Sequence, residues 1–471
     1  MTIVSQLAEF AATLGWEDVP KAIGDKLEDH VLDTLGVMCA GKAAPASAAA
    51  ARTLARWQGT PECAVVGTNL RLPAPHAAFL NAFHGRIHTF DDTIEAGPVH
   101  PGSVVVAAAL ASAEACGASG PTLLASALAG YEIVARIVAA LGPSHYAMGF
   151  HTTGTCNVFG AAAAAGRARG LDAHAVAGAL GIAGGMASGL RQYQLDGSIS
   201  DSALNGAHAA FAGVFAAELA AAGMAGPSGI IDGKFGLGTI MTQAADFALA
   251  ASGLGRHFLF AGTAIKPYPT CRFTHGPLDE LAKLQRKLGF AAADVVGIEI
   301  ATFRQSIEVS DKATAASRTD ALLSHQFSAA LLLTRGSLDL SALDSGAYRE
   351  PGVIGLAARI RVVHDPELER LFPASWPHRV NVALRDGRNL EALSLNPPGG
   401  GDDPLPRSAV AAKFRANAAP VLGAAGAEEL AAVVSKLELA PDLSVIARLA
   451  HPRPARAHAT TPSVSVSAAG S

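Results

Sequence analysis

Groups able to move protons and to hold anions recur along the chain: the string Asp91-Asp92-Thr93, then His100, Tyr146, His151, Lys266 and Arg272. Taking a proton from a carbon beside a carboxylate needs three things: a positioned base, a cationic or hydrogen-bonding cradle for the carboxylate, and an acid for the departing group. His100 and His151 are candidate bases. Each is expected just before a helix start, where the positive end of the helix dipole favours neutral imidazole and attracts carboxylate oxygens. Asp91 and Asp92 are adjacent, so on a regular backbone they point to different sides and cannot form a facing acid pair. Asp91 is taken as the catalytic candidate and Asp92 as a substrate contact. Lys266 precedes Pro267, which disfavours helical geometry and projects the lysine from an extended segment. Arg272 is a candidate clamp, since guanidinium binds carboxylate bidentately. Tyr146, close in sequence to His151, is a candidate acid on the opposite face. Duller readings stand beside these: a loop histidine that caps or packs, a solvated loop lysine, a turn-forming Asp-Asp-Thr, a tyrosine with a wet hydroxyl. Cys271 is read as packing.

The elements that must position these groups read as one helix after another up to about residue 258, over roughly 4–14, 20–40, 45–57, 74–86, 102–117, 120–140, 156–169, 173–189 and 206–222. Gly, Pro and Ser separate them. Only 64–67 reads as a strand there, and Pro101 places His100 at the mouth of the following helix. After Lys266 the texture changes to α+β: a helix at 274–289, a strand at 295–300, a helix at 317–334 and alternating runs at 358–364 and 378–384. Helical periodicity returns at 407–448. The expected organisation is a helical domain over 1–262, a smaller α/β domain over 263–404, terminal helices over 405–450 returning to the first domain, and a disordered Pro/Ala/Ser-rich tail over 451–471.

Composition narrows the classes. The 471 residues are 50% hydrophobic but only 6% aromatic and 16% charged, so small aliphatic residues must build the interior, as in closely packed helices. A formal net charge of -4 gives no electrostatic reason to expect nucleic acid or an anionic membrane as partner. Cys39, Cys63, Cys116, Cys156 and Cys271 are scattered, odd in number and without metal-ligand spacing; they read as reduced thiols of a cytoplasmic protein, with no metal expected. The start MTIVSQLAEFAATLG lacks the features of a secretory signal. No GxGxxG follows a strand and there is no Walker-type loop, so no nucleotide cofactor is expected.

Four stretches in order, Thr89-Phe90-Asp91-Asp92-Thr93 with His100-Pro101-Gly102-Ser103, Gly149-Phe150-His151, Lys266-Pro267-Tyr268-Pro269-Thr270-Cys271 with His275, and Val362-Val363-His364-Asp365, resemble the MmgE/PrpD family. The likeness runs over about residues 4–440. It implies a mainly helical fold with a large all-helical domain and a smaller α+β lid domain, a homodimer, and a site between the domains needing neither metal nor cofactor. The implied activity is on small di- or tricarboxylates, by proton removal or movement beside a carboxylate. It further implies that Thr93 offers a hydroxyl to a substrate carboxylate, that Lys266 reaches the substrate, and that His275 belongs to the binding set.

The sequence departs from the family pattern in three places. Thr89 stands where many members carry a further carboxylate. Ser200-Asp201-Ser202-Ala203-Leu204-Asn205-Gly206 stands where many carry a lysine, leaving Asp201 or Ser202 to occupy that substrate-binding position. Phe327 stands where a tyrosine is common. Losing a cation and gaining a possible carboxylate predicts a substrate unlike the tricarboxylates of the best-known members. The leading expectation is a lyase of the dehydratase kind. An epimerase or racemase is second, using Tyr146, His151 and Lys266 on two faces; a decarboxylase is third, and a non-catalytic binding protein is a separate class.

Overall fold

A computed structural model describes residues 1–57, 59–95 and 97–452. The tail read as disordered therefore lies outside the described residues except for His451 and Pro452.

The chain is mainly helical with a small mixed sheet, as expected from its Ala-rich periodicity. Helix Gly102–Ala115 shows why Ala matters: every residue from Gly102 to Ala113 is buried, so no polar face remains and neighbours close in on all sides. Gly130 in helix Gly120–Ala147 and Gly160 in helix Asn157–Ala168 sit backbone against backbone; a Cβ on Gly130 would lie 2.7 Å from the Gly160 carbonyl oxygen. Only glycine permits that approach. Helix Gly120–Ala147 is long and apolar enough to cross a bilayer, but 94% of its apolar window is buried inside the protein. Within it, Gly142 (φ 66°) and Pro143 break the helical geometry, close to where the sequence predicts its end.

One hydrophobic core runs from Ile3 to Phe260 and takes in Phe414, Leu430, Leu437 and Ile446 from the C-terminal helices. Helix Arg407–Leu422 packs along helix Lys21–Gly41. A second core, from Leu278 to Leu384, joins helices His275–Leu288 and His325–Arg335 to a four-stranded sheet. Strand Val295–Thr302 pairs in parallel with Ile360–His364 and antiparallel with His378–Leu384, which pairs with Asn389–Ser394. A small hydrophobic cluster of Phe273, Phe303, Val309 and Trp376 forms a third group.

Several expectations are corrected. The helix expected over 317–334 is two, Arg318–Leu322 and His325–Arg335, because Ser324 caps the second by accepting from the Phe327 amide. Phe327 is buried in the second core. The helix expected from 206 starts at Ile199, so Asp201 and Ser202 lie in its first turns and not in a loop. Strand Asn389–Ser394 was not expected: it is mostly exposed and its alternation is weak. The strand near 64 is the two-residue Cys63–Ala64, paired with Arg71–Leu72. One further short pairing decides the site. Thr93–Ile94 pairs antiparallel with Thr263–Ala264, bringing Lys266 beside the Asp91-Asp92-Thr93 string.

Candidate active site

The adjacent aspartates diverge, as side chains on successive residues must. Asp92 turns inward. Its Oδ2 accepts from His30 Nδ1 (2.7 Å) and from the Tyr131 hydroxyl (2.6 Å), and its Oδ1 accepts from the Gly102 amide (2.7 Å) at the start of helix Gly102–Ala115. Asp92 is thus a buried brace and not a substrate contact. Removing its carboxylate strands three buried donors, each worth about 1–3 kcal/mol. Asp92→Ala is expected to lower unfolding stability by about 3 kcal/mol or more, read from the urea midpoint; a loss under about 1 kcal/mol would refute the bracing role.

Asp91 faces the other way without reaching the cavity. Its Oδ1 accepts from Arg86 Nη1 (3.0 Å) and its Oδ2 from the Ser103 hydroxyl (2.7 Å). His100 Nδ1 lies 3.8 Å from Oδ1. Burial raises its pKa against the opposing pull of Arg86 and Lys266. The structure therefore places Asp91 behind the cavity lining, against Arg86 and Ser103.

The cavity itself is small, about 50 Å³, and is lined from both units. Arg86, Thr89, Thr93, His100, Tyr146, His151, Tyr193, Gln194 and Ile199 come from the helical unit; Lys266, Cys271, Arg272, Phe273 and Trp376 come from the chain that follows it. The structure thus brings together His100, His151, Lys266, Tyr146, Thr93 and Arg272. It leaves out Asp201, which is exposed, and Ser202, which is buried with its hydroxyl unpartnered; Ile199 is what helix Ile199–Ala221 presents to the cavity. His275 is also excluded, directing Nε2 to the Thr270 carbonyl (3.3 Å) behind the cavity wall.

The two histidines are held as opposite tautomers. His100 Nδ1 lies 2.8 Å from the Asp92 carbonyl, which can only accept, so Nδ1 carries the hydrogen. The lone pair of the neutral ring is then at Nε2, which no described residue hydrogen-bonds. His151 Nδ1 lies 3.1 Å from Asn205 Nδ2, which also donates to the Leu190 carbonyl (3.4 Å). That second contact identifies Nδ2 as the donor atom. His151 Nδ1 is therefore an acceptor and Nε2 carries the hydrogen, 3.3 Å from the Tyr193 hydroxyl. Burial, reinforced by the positive charge of Arg86, holds both pKa values well below the usual histidine value. Both rings are neutral near pH 7: one presents a lone pair, the other an N–H. The helix that follows His151 directly is only the four-residue turn Thr152–Thr155, so burial and Arg86 carry the effect there more than a helix dipole.

Two cations face the same space. Lys266 is fully buried, donates to the Thr89 carbonyl (2.7 Å), and has its pKa lowered to about 7 by burial, with Asp91 opposing and Arg86 reinforcing. Thr89 is in the left-handed region at φ 56°, which is strained for a β-branched residue. Arg86 ends helix Ala74–Arg86 and was not singled out from the sequence, although a basic residue at a helix end five positions before Asp91 was a readable signal. Arg272 spends its guanidinium on Glu95 (2.6 and 2.8 Å) and on the Pro397 and Pro398 carbonyls, so its clamp is filled by protein. Tyr146 accepts from Gln194 Nε2 (2.9 Å) beneath the Arg191 guanidinium, and burial pushes its pKa up. Tyr193 and Gln194 carried no sequence signal beyond residue type. Among the described residues, no group of three or more His, Cys, Asp or Glu side chains is arranged to hold a metal ion.

A mainly helical unit joined to a small α+β unit, with neutral histidines, a lysine and an arginine around one small cavity where they meet, defines an acid/base site suited to anions. The chain belongs to the MmgE/PrpD family: the family model of the MmgE/PrpD N-terminal domain matches residues 5–250 and that of the C-terminal domain matches residues 268–439. It is similar to the cis-aconitate decarboxylase-like protein oryM of Aspergillus oryzae, at 25% identity over 95% of this chain and 97% of that protein. It is also similar to cis-aconitate decarboxylases of Aspergillus terreus (23% identity, 95% of each chain) and Mus musculus (27% identity, 81% of this chain and 79% of that protein).

Proposed function

We propose that this chain is a lyase acting on a small di- or tricarboxylate, in which His100 Nε2 takes the proton beside a carboxylate and the Tyr193 hydroxyl, which accepts from the His151 N–H, protonates the departing group. The observation that carries this reading is the pair of neutral histidines locked as opposite tautomers on one cavity with Lys266 and Arg86. A base and an acid facing one substrate are what elimination of water requires. The two cations supply the cradle in which negative charge develops on the carboxylate.

Decarboxylation is a second reading, favoured by the relatives named above. There the carboxylate leaves as carbon dioxide and its bonding electrons stay on carbon, so a proton donor is needed and a base is not. His151 would act and His100 would be idle. The hydroxyl of Thr89, where a carboxylate is common in the family, and the stretch 200–206, where a lysine is common, support a substrate differing from the tricarboxylates of the best-known members. A cavity of about 50 Å³ holds a few waters and not a six-carbon acid. In this reading the α+β unit acts as a lid that moves to admit substrate.

The test is to incubate the protein with 2-methylcitrate, citrate, cis-aconitate and iminodisuccinate, following ultraviolet absorbance of a new double bond, carbon dioxide release and deuterium uptake from solvent. Absorbance gain without carbon dioxide supports the dehydratase reading, and carbon dioxide release supports the decarboxylase reading. Deuterium exchange alone would point to an epimerase. No turnover of any small carboxylate would overturn the proposal.

A further inference from the structure

Three buried polar atoms without any hydrogen-bond partner belong to residues lining this one cavity: Arg86 Nε, Thr89 Oγ1 and Trp376 Nε1. Buried donors are almost always paired, and an unpaired one costs about 1–3 kcal/mol. All three residues line the space of about 50 Å³, with Trp376 also bordering the neighbouring cavity beside Phe372, and three unpaired polar atoms so grouped call for an acceptor. Two are obligate donors and the third can donate, and the Lys266 ammonium faces the same space. The complementary ligand is therefore an acceptor-rich anion, and a carboxylate matches.

Trp376 is distinct among the three because it comes from the α+β unit. Its ring is 2% exposed and packs on Phe273 at 4.7 Å between centroids. Its backbone is fixed: the amide donates to the Leu395 carbonyl (3.1 Å) and to Asn396 Oδ1 (3.3 Å), and its carbonyl accepts from His378 Nδ1 (3.0 Å). An indole held this firmly presents its N–H with little orientational entropy left to lose.

Resting on the lyase reading above, we propose that the Trp376 indole N–H is a substrate-binding donor that, with Arg86 and Thr89, holds one carboxylate of the substrate. The bound carboxylate then bridges the two units, since Arg86 and Thr89 belong to one and Trp376 to the other. Binding and closure of the α+β unit become one event, and a ligand lacking that carboxylate closes the site poorly.

Trp376→Phe removes the N–H and keeps an aromatic ring in the cluster. Titration calorimetry with succinate and with tricarballylate is expected to show about tenfold or greater weakening in this variant, as befits a lost hydrogen bond to a charged group. A second measurement leaves Trp376 intact. In a protein carrying Trp16→Phe and Trp57→Phe, both away from the cavity, Trp376 is the sole tryptophan, and its emission is expected to shift on ligand addition. Equal affinity in wild type and Trp376→Phe, or ligand binding with no change in the sole-tryptophan emission, overturns the assignment of Trp376 while leaving the lyase reading standing. If the wild-type protein binds neither acid and turns over no carboxylate, both fall together.

Discussion

Replacing His100 by glutamine is expected to lower kcat for dehydration about 10²–10⁴-fold, the usual worth of a positioned proton-transfer group, with little change in melting temperature. Glutamine retains a polar side chain of similar reach but no basic nitrogen, so the Asp92 carbonyl can still be served while the lone pair at Nε2 is gone. His151→Gln is expected to cost as much, because it removes the N–H that faces Tyr193 at 3.3 Å. The two variants separate the two lyase readings. If the reaction is decarboxylation, His100→Gln is expected to be nearly as active as wild type and His151→Gln inactive. Steady-state rates on the best substrate, with carbon dioxide measured alongside absorbance, decide this. Full activity in both variants would remove the histidines from the chemistry altogether.

The second large effect concerns Lys266. Its pKa is lowered from 10.5 to about 7, so in the free protein the ammonium is present below about pH 7 and lost above it. If the ammonium holds a substrate carboxylate, kcat/KM, which reports the free enzyme, falls on a basic limb near pH 7. A bound anion favours the charged lysine, so the corresponding limb in kcat lies at higher pH. Lys266→Arg, always charged, is expected to erase the basic limb, and Lys266→Met to lower kcat/KM by about 10²-fold or more at pH 6. A wild-type profile that is flat between pH 6 and 9 would contradict this assignment.

Linkage gives an independent check on the same group. Between about pH 7 and 10.5 the unfolded chain holds a proton on Lys266 that the folded protein has released, so stability rises with pH across that window. Below pH 7 both states are charged and the full cost of burying the ammonium is felt. The stability difference between Lys266→Met and wild type is therefore expected to move in favour of wild type as pH rises from 7 towards 10. Denaturant midpoints at pH 6 and pH 9 measure the sign. A difference that stays flat between pH 6 and pH 9 would mean that the lysine keeps its proton in the folded protein.

How much of this was legible beforehand depended on the range of the contact involved. Helices such as Gly102–Ala115 were legible because Ala-rich periodicity and a preceding proline are local properties. The break between Arg318–Leu322 and His325–Arg335 was hidden because Ser324 could have sat within a helix as easily as capped one. Asp201 and Ser202 were chosen by their place in the string. The early start of helix Ile199–Ala221 rotates Asp201 to solvent and gives the cavity wall to Ile199.

The sequence by itself determined the helical character and the family, and it marked His100, His151 and Lys266 as candidates by residue type and immediate neighbours, without reference to distant chain. It also determined that Asp91 and Asp92 diverge. Only the tertiary structure decided what each group can do. The tautomers of His100 and His151 are set by the Asp92 carbonyl and the Asn205 amide. The depressed pKa of Lys266 is set by burial and by Arg86, and the place of Trp376 on the same cavity as Arg86 by the meeting of two units. Protonation state and hydrogen-bond direction are properties of an environment, and at this site the environment is assembled from segments as far apart in the chain as Arg86 and Trp376.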